Sequence, residues 1–278
     1  MGDFEVDTRV EGADGRYTAS LSDEWALWGP SGGYVAAIAL RAAAKESRIA
    51  RPAMFSGHFL GRAEFAAVDL EVERVHGGRR SESIRVLMRQ DGKPIMSAIV
   101  RTAAEGPGLE HDVTAPPEVP DPEGLMTWPE LFPEQEGPPY SFWNNIEGRV
   151  MDPERAKQEP RPPGPPVYSE WYRFTPRATF EDVWVDAARV LVLMDTLCWP
   201  AASQPHGYPT PYIAPNLDVT AWFHRFEPES EWLLSDHEGP VAEAGLMGTT
   251  GRIWSRSRRL LATGGAQLMC IPAPPDMQ

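Results

Sequence analysis

The chain predicts an α+β protein of two like halves, each an antiparallel sheet around one long apolar helix. Three observations carry this expectation. Two segments, YVAAIALRAAA (34–44) and VWVDAARVLVLMDTLCW (183–199), are apolar nearly all round, so each helix must be enclosed by other elements. Each is followed by about four runs of alternating apolar and polar residues with turn signals between them. The order strand, helix, strands then recurs on both sides of a proline-rich break.

In the first half RYTASLSDEWAL (16–27) reads as a strand, and Gly33 to Ala44 as the helix. The strands FSGHFLGRAEF (55–65), AVDLEVERVHGG (67–78), SESIRVLMRQDG (81–92) and KPIMSAIVRTAA (93–104) follow, with Gly-Gly and Asp-Gly as turns. Residues 116–166 hold 14 of the 29 prolines and show no sustained helical or strand period. Such a stretch suits neither helix interiors nor central strands. Trp128, Phe132, Phe142 and Trp143 within it predict packing against the body.

In the second half VYSEWYRFTP (167–176) is a strand, and Asp182 to Trp199 a helix stopped by Pro200. NLDVTAWFHRFEP (216–228), EWLLSDHE (231–238), GLMGTTGRIWS (245–255) and RRLLATGGAQLMC (258–270) read as strands. The domain reading is 1–115, a connection at 116–166, and 167–278. A sheet wrapped around a central helix is the hot-dog arrangement, so the expectation is a double hot-dog with one sheet in each half.

The composition narrows the function classes. With 26 Lys and Arg against 40 Asp and Glu, the net charge is −14. Broad nucleic-acid or anionic-membrane surfaces need a basic face and are not expected. The two cysteines, Cys198 and Cys270, have no metal-ligand spacing, so neither a disulfide framework nor a metal site is expected, and a reducing cytoplasm fits. The first sixteen residues, MGDFEVDTRVEGADGR, lack the apolar core of a secretion signal, and no run of 18 apolar residues predicts a membrane span.

The stretch GPSGG (29–33) contains a literal G-x-S-x-G centred on Ser31. A nucleophile elbow requires a strand before it, a helix after it, and an acid and a histidine later in the chain; His224 or His237 would serve. Only one strand precedes Ser31, and consecutive strands rather than βα units follow it, so a helix N-cap is the competing reading. Gly32 and Gly33 let a ligand approach unpaired helix N-terminal amides, or serve close packing alone. Asp218 lies in the alternating run LDVTAWFH and projects toward a cleft or pairs with an arginine. Asp195, on an enclosed helix, needs a partner, with Arg189 one candidate. His58 and His224 have aromatic neighbours and read as packing residues, and His237 as a surface residue. No phosphate-loop or dinucleotide glycine motif is present.

Two stretches carry a family resemblance: HFLGRAEFAAVDLEVERVHGGRRSESIRVLMRQDGKPIMSAIVRTAAEGPGLEHD (58–112) and NLDVTAWFHRFEPESEWLL (216–234). Both resemble the acyl-CoA thioesterase II-like family, the second through a D-x-x-x-W-F-H-R…W-L-L signature. The resemblance implies hydrolysis of acyl-CoA thioesters without a covalent intermediate, an Asp, a Ser/Thr and a Gln holding the attacking water. It places the Asp at Asp218. Counting without gaps from Trp232 places the Ser/Thr at Pro240 and the Gln at Ala266, one residue before Gln267, and a bulge at Gly264-Gly265 would restore Gln267. Negative charge developing on the thioester oxygen would meet the amides of Gly32 and Gly33. The cluster RIWSRSRRLL, through Arg256 and Arg258, would meet the coenzyme A phosphates, a solvated hairpin being the alternative. Coenzyme A enters only as part of the substrate, and no metal or redox cofactor is expected. An acyl-CoA-binding protein without turnover, favoured by Pro240, and a serine esterase using Ser31 are the alternative functions. Self-association through a sheet edge is a further expectation.

Overall fold

The long apolar segments form two helices, one in each half of the chain. The computed structural model describes residues 1–273, so residues 274–278 of the second half lie outside the described residues. The first half runs α1 (Phe4–Asp7), β1 (Glu11–Ala13), β2 (Arg16–Ser20), α2 (Gly32–Glu46), β3 (Pro52–Phe59), β4 (Ala67–Gly77), β5 (Ser81–Gln90) and β6 (Lys93–Ala103). The connection carries α3 (Trp128–Leu131), β7 (Ile146–Arg149) and α4 (Pro153–Ala156). The second half starts with β8 (Val167–Phe174), α5 (Val183–Thr196), α6 (Cys198–Ser203) and β9 (Tyr212–Ile213). It ends with β10 (Asp218–Phe223), β11 (Leu233–Glu243), β12 (Leu246–Ser255), β13 (Leu260–Met269) and β14 (Ile271–Pro272).

The second helix is shorter than its apolar run. A proline ring collides with the carbonyl four residues back, here that of Thr196, so α5 ends there. Pro200 is instead accommodated in the first turn of α6, where its missing N–H costs nothing.

Instead of two wrapped sheets, twelve strands form one antiparallel sheet in the order β1-β2-β4-β5-β6-β3-β10-β13-β12-β11-β8-β7, beside a small β9–β14 pair. This corrects the expectation of one sheet per half. The halves meet where β3 pairs with β10, with His58 opposite Asp218 and Met54 opposite Trp222. Taken separately, each half would leave β3 or β10 as an edge of unpaired N–H and C=O groups, and the seam satisfies both at once. Two-residue turns with both φ angles positive close β1–β2 at Asp14-Gly15, β5–β6 at Asp91-Gly92 and β11–β12 at Ala244-Gly245.

Helices α2 and α5 pack against each other and against one face of this sheet. Ala36, Ala37, Ala39, Ala42 and Ala43 of α2 are fully buried, and these small side chains permit close approach. Val219, Ala221 and Phe223 of β10 are buried with the helices, while Trp222 on the opposite face is half exposed. The connection packs on the body: Phe142 meets Trp25 edge-on, and β7 extends the sheet beside β8. The sequence pattern missed β7, because four residues are too few to display a period.

Candidate active site

Ser31 occupies the N-cap position of α2, yet its side chain makes no capping hydrogen bond. It is buried, and its Oγ has no partner among the described residues. The cap comes from the other half instead: the Gly33 N–H donates to Asp195 Oδ2 at 2.7 Å. Asn216 Nδ2 donates to Asp195 Oδ1 at 2.6 Å and to its carbonyl oxygen at 3.1 Å. A carboxylate at a helix N-terminus is stabilised by the unpaired amides there. Burial outweighs those donors and pushes the Asp195 carboxyl up to about 6. Arg189 is not its partner; that guanidinium is buried against Asp186.

The glycines at this end have a packing reason. A Cβ on Gly33 would lie 2.8 Å from Val192 Cα and 2.9 Å from its carbonyl oxygen, so the α2 and α5 backbones touch here. With Asp195 on its N–H, Gly33 is occupied as an anion donor, which corrects the expectation that its amide is free. Among the described residues no side chain accepts the Gly32 N–H.

Asp218 and Gln267 come together, though not by the route expected. Asn216 sits opposite Leu268, whereas Thr220 sits opposite Gly265. Keeping step with Thr220 would bring Asn216 opposite Met269, so β10 carries one extra residue around Leu217 and Asp218. The Leu217 N–H donates to the Gln267 carbonyl at 2.7 Å, and Asp218 Oδ1 accepts the Gln267 N–H at 3.1 Å. A bulge of this kind re-aims a side chain.

Strand β13 itself runs in unbroken register through Gly264-Gly265, so the bulge lies on the partner strand. Those glycines answer a close approach: added Cβ atoms would stand 2.0 Å from the Thr220 oxygen and 2.1 Å from that of Thr249. Ala266 is buried facing the helices, with its N–H on Thr249 Oγ1, while the Gln267 side chain is exposed. Pro240 lies with Gly239 in the irregularity between Glu238 and Val241, and brings no hydroxyl.

The remaining candidates lie elsewhere. Arg256 pairs with Asp121 and Glu123, and Arg258 with Asp121 and the carbonyls of Pro117 and Val119. Both stack on Trp171. These guanidiniums pin the connection to β12–β13, correcting the expectation of a phosphate site there. His224 bonds Thr263, and His237 bonds the Met194 carbonyl, so neither is hydrogen-bonded to Ser31. His237 is buried, not on the surface, and burial lowers its imidazole to about 3. No cluster of three or more His, Cys, Asp or Glu suited to a metal ion occurs among the described residues. Nor is any helix among them long and apolar enough to cross a membrane.

Asp195 and Asn216 therefore join the N-terminus of one central helix to the residues just before β10 in the other half, where Asp218 begins the strand. The profile of the acyl-CoA thioesterase C-terminal domain matches residues 115–271, more than half of the chain, and that of the N-terminal domain matches residues 21–103. The chain belongs to the acyl-CoA thioesterase family.

Solved structures share its fold. A conserved protein of unknown function with hot dog fold from Alicyclobacillus acidocaldarius superposes with a TM-score of 0.81 at 21% identity, covering 98% of each chain. The acyl-CoA thioesterase II TesB2 from Mycobacterium marinum gives 0.78 at 21% identity, covering 99% of this chain and 100% of that one. The tesB protein of Mycobacterium avium subs paratuberculosis gives 0.77 at 23%, covering 97% and 98%. At these identities the likeness establishes the hot-dog fold; the family rests on the domain profiles.

The centre holds chemistry suited to a carbonyl substrate. It offers a helix N-terminus, one buried carboxyl that burial raises to about 6, and the more accessible Asp218 side chain held by the Gln267 N–H. The signal that finds Asp195 is an ionisable residue on an otherwise apolar helix. Nothing local foretells its contact with Gly33, which lies 162 residues away.

Proposed function

We propose that this protein hydrolyses acyl-CoA thioesters to free acid and coenzyme A where the two halves meet. The observation that carries this reading is the hydrogen-bonded cluster of the α2 N-terminus, Asp195 and Asn216, two residues along the chain from Asp218, in a member of the acyl-CoA thioesterase family. The thioester oxygen takes the Gly32 N–H, where developing negative charge is favoured by the helix dipole. Asp195 holds the neighbouring Gly33 amide and fixes the helix end. Asp218, whose Oδ1 accepts the Gln267 N–H at 3.1 Å, holds a water, while the Gln267 side chain faces away from the helices.

The water oxygen bonds to the carbonyl carbon as its proton passes to the Asp218 carboxylate. The C–S bond then breaks, and the departing thiolate takes that proton from the Asp218 carboxyl, which regenerates the carboxylate. No residue forms a covalent bond to the acyl group, and coenzyme A is part of the substrate, with no separate cofactor. The two free cysteines fit a reducing cytoplasm.

A second reading is acyl-CoA binding without turnover, favoured by the absence of a hydroxyl at Pro240. Release of coenzyme A from acyl-CoAs of graded length, by wild type, Asp218→Asn and Ser31→Ala, separates the readings. Turnover lost only in Asp218→Asn supports hydrolysis by activated water. Loss only in Ser31→Ala overturns it in favour of a serine esterase, and saturable binding with no release establishes the binding protein.

A further inference from the structure

Beside this junction lies a cavity of about 320 Å³. Trp28, just before the α2 N-terminus, and Trp199, four residues after Asp195, form part of its wall with Tyr140 and Tyr208. The connection adds Arg155 and Arg161. Arg155 is held in place by Gln204 Oε1, at 3.1 Å from Nε and 2.8 Å from Nη2, and by the Pro162 carbonyl at 2.9 Å. Arg161 is fixed through its backbone, which exchanges hydrogen bonds of 2.8 and 2.9 Å with Tyr208. Its guanidinium lies over the Tyr208 ring, 5.6 Å from the centroid.

The charge here is unbalanced. Among the described residues neither Arg155 nor Arg161 makes an ion pair, and the buried Arg161 Nε has no hydrogen-bond partner. Among the described residues no Asp or Glu lines the cavity, in a chain with 40 acidic residues against 26 Lys and Arg. Most other arginines of the structure, Arg256 and Arg258 included, face carboxylates. Two guanidiniums with no counter-ion among the described residues, walled by aromatic rings, fit an anion attached to a flat ring system. The volume exceeds a single aryl ring and lies at the lower end of the range for ligand pockets.

We infer that this cavity binds a nucleotide, with phosphate on Arg155 and Arg161 and the base against the aromatic side chains. Resting on the thioesterase reading, its source is the phosphorylated adenosine end of the acyl-CoA substrate. The connection thus supplies the grip that Arg256 and Arg258 do not.

The test compares an acyl-CoA with the matching acyl-pantetheine thioester, which lacks the nucleotide, in wild type, Arg161→Gln and Arg155→Gln. Direct binding of adenosine 3′,5′-bisphosphate and of AMP is measured by calorimetry on the same proteins. The expected result is a KM for acyl-CoA raised roughly ten- to hundredfold in Arg161→Gln, with the KM for acyl-pantetheine within about twofold of wild type. Arg155→Gln, which removes a side chain from a different element, moves in the same direction. It serves in place of Arg161→Gln if that variant fails to fold.

If adenosine 3′,5′-bisphosphate or AMP binds in an Arg161-dependent way while both KM values stay put, the nucleotide site stands and coenzyme A as its source falls. If neither nucleotide binds wild type at millimolar concentration and KM for acyl-CoA is unmoved, the inference is overturned while the thioesterase reading survives. Arg161-dependent nucleotide binding with no turnover of either thioester reverses that, refuting hydrolysis and keeping the site.

Discussion

Replacing Asp195 by Asn tests whether a buried carboxyl joins the two central helices at an electrostatic cost. Asn keeps an oxygen for the Gly33 N–H now 2.7 Å away, and a flip of the Asn216 amide lets it accept from the new NH₂ group. The flip gives up the 3.1 Å bond to the Asp195 carbonyl, a loss of about 1 kcal/mol. The gain depends on pH.

The Asp195 carboxyl is raised from 3.8 to about 6, worth about 3 kcal/mol between its two protonation states. A raised carboxyl contributes stability fully present below its unfolded value, and that stability is lost as pH rises through the folded value. Wild type should therefore lose about 3 kcal/mol relative to Asp195→Asn between pH 4 and pH 7, and about nothing more above that. Thermal melts followed by tryptophan fluorescence from pH 4 to 8 would show the two Tm curves diverging by roughly 6–12 °C. A difference that stays constant across that range would refute the assignment of an ionising, desolvated carboxylate at the α2 N-terminus.

Asp218→Asn should leave the melt within about 1 kcal/mol of wild type, since the side chain is only half buried, and reduce kcat by roughly 10²–10⁴ in a coenzyme A release assay. Ser31→Ala should retain turnover, with unchanged or slightly higher Tm, because the buried Oγ it removes has no partner among the described residues. Gly33→Ala should lower stability by about 1–3 kcal/mol in urea unfolding, its methyl forced to within 2.8 Å of Val192 Cα. Glu170, buried with hydrogen bonds from Trp128, Tyr168 and Tyr172, is raised by burial from 4.5 to about 7. Glu170→Gln should remove a loss of stability of about 3 kcal/mol that wild type suffers between pH 4.5 and pH 7, read from the same melts.

The candidate site was legible in pieces. Asp218 stood out by the residues around it, and Gln267 could be named, though a one-residue offset separated it from the position that ungapped counting indicated. The offset is not absorbed: β13 keeps its register through Gly264-Gly265, and Ala266, not Gln267, faces the helices. The one extra residue lies on β10, which no local pattern in LDVTAW announces. Ser31 occupies its expected cap position without doing the capping. The arginines at 256 and 258 were legible as a basic cluster, but their partners Asp121 and Glu123 lie in a stretch with no period to place it.

The sequence alone determined that two apolar helices must be enclosed, where strands alternate, and that Asp91-Gly92 closes a two-residue hairpin, because each of these is a matter of neighbouring residues and periodicity. It determined which faces are apolar, but not what meets them. Only the tertiary structure decided that β3 and β10 pair into one sheet, that Asp195 rather than Ser31 caps α2, and that Arg155 and Arg161 meet no carboxylate among the described residues. The physical reason is that an unpaired amide or guanidinium specifies only that some acceptor must come. Which one arrives is settled by the packing of helices and strands more than a hundred residues apart.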